Sequence, residues 1–316
     1  MHLKSDNKEM DIMKKFILAL LFVLLLICAG VGVWAIPTLV DSVKGTFGSG
    51  QTFSTNVVTR TDKVSDYTAL EVSNCLKVEV SDRVSTGEVL IEAPENMMEN
   101  IVCQVESGVL KLKIKSSGKS VFNYDSNPHI FINPSKLEIV TASGSSEIEV
   151  KRDLSGESLA VTLSGSSDMK FLGLNHKELV FASSGSSEFD VKGVIECESL
   201  SAVLGGSSDL DVHGVNAKNF SLTLSASSDV SAKSIDCTDF IFTASGSSEA
   251  EIDALNTVNA TITLSSSSEL EIKRGGAKEA TIVANSSSKM KAENWNVQKS
   301  NLTEKGSSKV KFGTGK

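Results

Sequence analysis

Seven acidic residues recur between residues 147 and 269 at steps of 20 or 21 residues, and two lysines continue the series. Carboxylate oxygens are ligands for Ca²⁺, and paired carboxylates can also act as acid and base on a polysaccharide. The series could therefore hold weak surface Ca²⁺, although it lacks the DxDxDG pattern of a tight calcium loop. The acidic members are Glu147, Asp168, Glu188, Asp209, Asp229, Glu249 and Glu269, and the basic members are Lys289 and Lys309.

A Gly-Ser-Ser motif or a close variant precedes each of these residues, and its serines are the next groups with potential reactivity. A serine nucleophile needs a base held beside it. The chain has four histidines, and His176 and His213 lie at different distances from the motif, so we expect both on the surface. We therefore interpret the serines as turn residues whose hydroxyls bond to the backbone, and we predict no catalytic residue.

The cysteines do not show the spacing of a metal site. Cys197 and Cys237 share a repeat position but lie two repeats apart, about 9–10 Å at the spacing of stacked strands. That distance exceeds the reach of a disulfide, so we predict that both are free. A Cys75–Cys103 disulfide is an open alternative in an exported protein.

The elements that position these residues follow from the repeat itself. The motif returns nine times between residues 144 and 308, with a mean step near 20. Apolar and polar residues alternate on both sides of it, which indicates two half-buried strands per repeat. A fixed period of this size predicts a solenoid. Glycine is expected where the turn needs a left-handed backbone, at Gly144, Gly165, Gly185, Gly206, Gly246 and Gly306.

Stacking the repeats gives an all-β parallel β-helix, or β-solenoid, with coils of about 20 residues. Nine coils would form a rod roughly 43 Å long, and each repeat position would become a row along it. The acidic series is one such row. A second row could contact glycans or order water, although threonine also simply favours exposed strand positions. Its threonines are Thr141, Thr162, Thr223, Thr243, Thr263 and Thr303.

The chain before the repeats divides by hydropathy. Residues 63–140 alternate without a fixed period and predict an irregular amino-terminal β cap, or first coils, ahead of a regular solenoid at 141–316. Within the cap, Glu106-Ser107-Gly108 predicts a hairpin turn. Residues 37–62 are rich in serine, threonine and glycine, which is typical of a linker.

Residues 16–36 form an unbroken apolar run of 21 residues, preceded by a cytoplasmic segment or signal n-region at 1–15. A hydrophobic helix of this length spans about 30 Å, so we expect a membrane anchor. A cleaved signal peptide and a lipoprotein modified at Cys28 are the alternatives. All three export the rest of the chain to the cell envelope, either at the inner membrane facing the periplasm or at the outer membrane or cell surface.

Charge and composition limit the partners. The chain carries 31 Lys+Arg against 39 Asp+Glu, a formal charge of −8. This balance argues against a nucleic-acid partner, which usually requires a basic patch. A hydrophobic fraction of 40% is sufficient for a folded core. Oligomeric state is not predicted.

Three segments before the regular repeats, together with the Ser-Gly-Ser-Ser-Asp/Glu turns, carry a family resemblance. They are Tyr67–Val72, Lys77–Val80 and Gly108–Leu112. Over about residues 65–315 the chain resembles the auto-transporter adhesin, head GIN domain family of bacterial envelope proteins. The resemblance implies a β-helix, no assigned catalytic residues and an adhesive role. The chain departs from the pattern at Ala226, Ser266 and Ser286, which replace the turn glycine.

Two functional hypotheses follow. The preferred one is a non-enzymatic, adhesin-like protein whose repeated polar faces make weak multivalent contacts with a glycan or with an envelope or surface protein. It needs no cofactor beyond the weak surface Ca²⁺ considered above. The alternative is a pectate-lyase-like enzyme that acts on polysaccharides through surface carboxylates and a cation. Such an enzyme needs a singular catalytic cluster that interrupts the repeat, and residues 144–310 show no interruption.

Overall fold

The computed structural model describes residues 56–115 and 127–314. The expected hydrophobic helix at 16–36 and the segment 1–15 lie outside these residues. Within the described part of the chain, no helix has the length and hydropathy needed to cross a membrane.

The described residues form one 21-stranded sheet and a single short helix. The helix is α1 (Glu95–Met98). The strands are β1 (Val57–Lys63), β2 (Ala69–Val72), β3 (Lys77–Val80), β4 (Glu88–Pro94), β5 (Ile101–Glu106), β6 (Val109–Ile114), β7 (His129–Ile132), β8 (Ile139–Ala142), β9 (Glu147–Val150), β10 (Leu154–Leu163), β11 (Asp168–Phe171), β12 (Leu174–Ser183), β13 (Glu188–Leu204), β14 (Asp209–Leu224), β15 (Asp229–Ala244), β16 (Glu249–Ile252), β17 (Leu255–Leu264), β18 (Glu269–Ile272), β19 (Gly275–Ala284), β20 (Lys289–Glu304) and β21 (Lys309–Thr314).

The strands stack as a parallel β-helix, which confirms the predicted fold class. Strands before the serine turn pair in the order β2, β8, β10, β12, β13, β14, β15, β17, β19 and β20. Strands after the turn pair in the order β3, β9, β11, β13, β14, β15, β16, β18, β20 and β21. From β8 and β9 to Lys289–Ala292 of β20 and its partners in β21, partners in successive coils lie 20 or 21 residues apart, so each repeat position forms a row along the solenoid.

The serine turns hold their shape through the backbone and one buried hydroxyl. The six predicted glycines have φ between 74° and 83°, and Ala226, Ser266 and Ser286 adopt φ of 61–62° at the equivalent positions. The second serine of each motif turns its hydroxyl inward, as at Ser248, whose Oγ donates to the carbonyl of Ser245 at 2.9 Å. The hydroxyl of the second serine therefore bonds to the backbone of its own turn.

The core is a continuous column of apolar side chains from alternate strand positions. Aromatic residues stack within it, and the rings of Phe181 and Phe189 have centroids 5.0 Å apart.

Near the carboxyl end Trp295 is fully buried, and its indole N–H donates to the carbonyl of Leu255 at 3.1 Å. Gly275 lies between these two residues in the same row, with φ of 120°. A side chain at Gly275 would meet the Leu255 carbonyl, so glycine is required there.

An additional coil, formed by β2 and β3, precedes the nine motif turns. Its turn residue is Asn74, with φ of 76°, and the Asn74 carbonyl accepts hydrogen bonds from the N–H of Ser145 and the hydroxyl of Ser146. Asparagine tolerates the left-handed region better than most residues. The turn Ser73-Asn74-Cys75 does not match the motif. The sequence therefore allowed first coils in this region without locating this one.

Irregular strands cover the amino-terminal coil. β6 and β7 stack in parallel on β2 and β3, and β5, β4 and β1 extend the sheet through antiparallel pairs. The predicted hairpin turn is present, with φ of 52° at Ser107 and 78° at Gly108. Residues 57–62, which fall in the segment interpreted as a linker, belong to β1. They are ordered by backbone pairing with β4 and not by their own composition.

Candidate functional site

The strands that follow the serine turns present two outward rows, which we call the charged face. The predicted acidic series forms the first of these rows in unbroken register. It runs Lys77, Glu147, Asp168, Glu188, Asp209, Asp229, Glu249, Glu269, Lys289 and Lys309. The second row, two residues further along each strand, runs Glu79, Glu149, Lys170, Asp190, Asp211, Ser231, Glu251, Glu271, Lys291 and Lys311.

The middle of the charged face is acidic. Glu188, Asp209 and Asp229 line a groove of about 440 Å³ together with Glu249 and Asp211. Burial, and secondly the neighbouring carboxylates, raise the pKa of Glu188 and of Asp209 above the ordinary value. The carboxylates of successive coils therefore repel one another across a partly desolvated surface.

The carboxyl end of the same face is basic. Lys289 and Lys291 both contact the Glu269 carboxylate, the former at 3.5 Å, and Lys291 holds the pKa of Glu269 below its usual range. Lys309 and Lys311 continue the two rows and border a groove of about 570 Å³. The charge along one face thus changes from negative to positive within two coils.

The acidic row places one carboxylate on each of seven successive coils. Among residues 56–115 and 127–314, no group of three or more His, Cys, Asp or Glu side chains is placed to hold a metal ion. Ca²⁺ binding at the seven predicted residues stays a prediction.

The strands that precede the serine turns present a contrasting surface, which we call the uncharged face. In the nine motif coils it has two outward rows of nine residues, and none of the eighteen is charged. In the preceding coil, β2 continues the two rows with Ala69 and Glu71. The first row is Ile139, Ala160, Val180, Ser201, Ser221, Ile241, Thr261, Thr281 and Asn301. The second is Thr141, Thr162, Ala182, Val203, Thr223, Thr243, Thr263, Val283 and Thr303, which brings the six predicted threonines into register.

Apolar side chains are exposed on the uncharged face. Ile139 is 52% exposed and Ile241 is 49% exposed, in the same row and five coils apart. The face therefore combines methyl groups and hydroxyls on a regular sheet surface. In the sequence, this face is visible as a lack of charged residues at the outward positions before each serine motif. The threonine pattern identified only part of it.

A third surface carries side-chain hydrogen bonds that sequence reasoning missed. Asn216 Nδ2 donates to Glu196 at 2.6 Å, and Asn256 Nδ2 donates to Asp236 at 2.9 Å. These residues occupy one row in which amide and carboxylate alternate from coil to coil. The alternation is visible in the sequence at a step of about 20 residues. It gives Glu196 and Asp236 each an amide partner in the next coil.

The histidine prediction is half correct. His213 is exposed, but His176 is only 3% exposed. The His176 imidazole points inward because it lies opposite Gly156, whose missing side chain leaves room for the ring. Its Nδ1 has no hydrogen-bond partner, and burial lowers its pKa.

The thiols are free in the described part of the chain. Cys197 and Cys237 are unpaired, as predicted, and Cys75 and Cys103 do not form a disulfide. Burial raises the pKa of Cys197 to about 12 and that of Cys237 to about 11. Both are therefore poor nucleophiles near neutral pH, because the thiolate is the reactive species.

These observations define a class of protein: a parallel β-solenoid whose outward rows repeat from coil to coil. The chain belongs to the family described as "Putative auto-transporter adhesin, head GIN domain", which matches residues 66–239 and 221–316. The resemblance seen in the sequence is confirmed.

Solved structures share the fold. A "putative adhesin" from Parabacteroides distasonis has a TM-score of 0.54 at 14% identity, covering 81% of this chain and 97% of its own. A "putative lipid binding protein" from the same organism has a TM-score of 0.52 at 18% identity, covering 84% and 98%. A "putative adhesin" from Bacteroides fragilis has a TM-score of 0.50 at 17% identity, covering 82% and 98%. No curated protein matches the chain significantly.

Proposed function

We propose that the protein is a non-enzymatic, adhesin-like component of the cell envelope or surface that binds through its uncharged face. The observation that carries the proposal is the register of that face, where eighteen outward positions in nine coils hold no charge. Membership of the adhesin family and likeness to proteins described as adhesins support a surface protein without catalytic activity.

The chemistry of the face favours an uncharged, extended ligand such as a neutral glycan. Threonine and serine hydroxyls can exchange hydrogen bonds with sugar hydroxyls, while exposed methyl groups such as those of Ile241 pack against sugar carbons. Each net hydrogen bond contributes about 1 kcal/mol, so five would correspond to a dissociation constant near the millimolar range. Binding of this kind becomes strong only when many contacts act together, which is what identical coils provide.

The test is a glycan and envelope-protein array probed with the purified protein and two variants. Thr223→Lys/Thr263→Lys places two charges on the uncharged face without placing them in adjacent coils. Asn216→Lys/Asn256→Lys adds the same charge to the third surface, where glutamate and aspartate neighbours can pair with it. We expect the wild type and Asn216→Lys/Asn256→Lys to bind a common set of ligands. The affinity of Thr223→Lys/Thr263→Lys for those ligands should fall at least tenfold.

Equal loss in both variants, or an array without ligands, would count against this proposal. An assay for turnover of acidic polysaccharides, with and without Ca²⁺, addresses the enzyme alternative. We expect no turnover. Activity abolished by replacing carboxylates of the charged face would overturn the proposed function.

A further inference from the structure

The charged face is divided into blocks of opposite sign. Five carboxylates in its middle coils have no ion-pair partner among the described residues, and we call them the acidic block. They are Glu188, Asp209, Asp211, Asp229 and Glu249. Two coils further along, the outward positions of both rows are lysines, and we call these the basic block. They are Lys289, Lys291, Lys309 and Lys311.

The acidic block differs from the coils on either side of it. Toward the amino end, Lys77 and Lys170 each lie 3.3 Å from the Glu147 carboxylate. Toward the carboxyl end, Lys289 and Lys291 neutralise Glu269. In the middle, carboxylates about 4.8 Å apart repel by roughly 1 kcal/mol per pair even in water. The lysines that border the acidic block contact other carboxylates, since Lys192 pairs with Asp190 and Lys273 pairs with Glu251. In the basic block, Lys309 forms no ion pair among the described residues, and Lys311 is paired only with the exposed Glu293, at 3.7 Å.

From this arrangement we infer that the charged face docks on the charged face of a second copy of the chain, with the two solenoid axes antiparallel. A two-fold axis along the strand direction, between the coils of Glu249 and Glu269, keeps each row opposite itself. It places Lys289 opposite Asp229 and Lys309 opposite Asp209 of the second copy. In the second row it places Lys311 opposite Asp211.

The proposed docking matches the two copies coil by coil. Both copies have the same coil spacing of about 4.8 Å, so matching one coil matches the others. Because a two-fold interface is self-complementary, each of these pairs forms twice. At the centre, Glu249 faces Glu269 in the first row and Glu251 faces Glu271 in the second. Lysines of the same chain already contact three of these carboxylates: Glu269 has Lys289 and Lys291, Glu271 has Lys291, and Glu251 has Lys273.

The carboxyl end of the solenoid favours this lateral contact over end-to-end stacking. In the last coil, Ser300 and Glu304 occupy the rows that hold the buried Ala280 and Ala284 one coil earlier. The Glu304 carboxylate accepts the N–H of Val310 at 2.9 Å. A charge at an inward position, together with lysines on the terminal strand, prevents another coil from adding.

The experiment uses two full-length copies of the chain with different affinity tags. After mixing, one tag is captured and the other is quantified at low and high salt, since pairing of exposed charges is screened as the Debye length falls from about 30 Å to about 4 Å. We expect the second copy to be captured at low salt and at least tenfold less at high salt. This result does not depend on the proposed adhesive function, which uses the other face.

Charge reversal makes the test specific. We expect Lys289→Glu/Lys309→Glu and Asp209→Lys/Asp229→Lys each to lose self-capture, and a mixture of the two variants to regain it. Recovery would also show that both variants are folded. The control Lys218→Glu/Lys278→Glu, outside the charged face, should behave as the wild type.

Three outcomes would overturn the inference. One is a wild type that fails to capture itself at any salt concentration. Another is self-capture that persists in both charge-reversed variants, and the third is a variant mixture that does not recover binding. Capture of heparin by the basic block without self-capture would assign that block to an external polyanion instead.

Discussion

Replacing Gly275 with alanine should destabilise the carboxyl-terminal coils strongly. The φ of 120° at Gly275 is a conformation that L-residues rarely adopt, and holding a residue there costs about 1–3 kcal/mol. The new Cβ would lie 2.0 Å from the Leu255 carbonyl oxygen, which accepts the buried indole N–H of Trp295. Displacing that carbonyl leaves a buried donor unsatisfied and costs about another 1–3 kcal/mol. We therefore expect a total loss of about 4 kcal/mol.

The loss should be local, because each coil of a solenoid contacts only its neighbours. Hydrogen exchange measured by mass spectrometry would report it peptide by peptide. We expect protection in β17, β19 and β20 to fall several hundredfold, since each 1.4 kcal/mol is a factor of ten, while β10 and β12 stay unchanged. In Gly108→Ala the glycine has φ of 78° but nothing lies within 4 Å of the new Cβ, so only about 1–2 kcal/mol should be lost. Equal effects of the two substitutions would refute the role assigned to the Leu255 carbonyl.

Two further predictions concern buried polar groups. Ser248→Ala should lower the free energy of unfolding by about 1 kcal/mol in urea titrations, because the turn loses the hydroxyl that bonds to Ser245; an unchanged midpoint would contradict this. His176 is buried with a lowered pKa, so its neutral form is favoured by the fold, and its contribution to stability is complete above about pH 6.5 and is lost as the pH falls from there toward the folded-state pKa. The free energy of unfolding measured between pH 7.5 and 5 should therefore decline less in His176→Leu than in the wild type. Parallel curves would exclude His176 as a cause of the decline.

The regular part of the fold was predictable because two periods coincide in the sequence. Alternation of apolar and polar residues identifies strands, and the 20-residue step fixes which residues stack. The rows that contain Glu147 and Thr141 therefore follow from the sequence alone. The turn glycines followed from the need for positive φ.

The features that were missed depend on single exceptions or on distant pairing. Asn74 makes the same turn with a different residue, so a motif search passes over it. The antiparallel pairing of β4 with β7 joins residues about 40 positions apart, across segments without a repeat. His176 is inward only because Gly156 opposes it, a contact that appears once the coils are aligned. The ion pairs of Glu269 with Lys289 and Lys291 could likewise be predicted only once the register of two neighbouring coils was known.

The most direct test of the account is the dependence of affinity on ligand length. Oligomers of the best array ligand would be titrated against the wild type, from one sugar unit up to a length that covers the uncharged face, roughly 43 Å for nine coils. If repeated coils act together, affinity should rise steeply with length and level off when the face is covered. A short oligomer that binds as tightly as the longest one would show a single pocket and contradict the central claim.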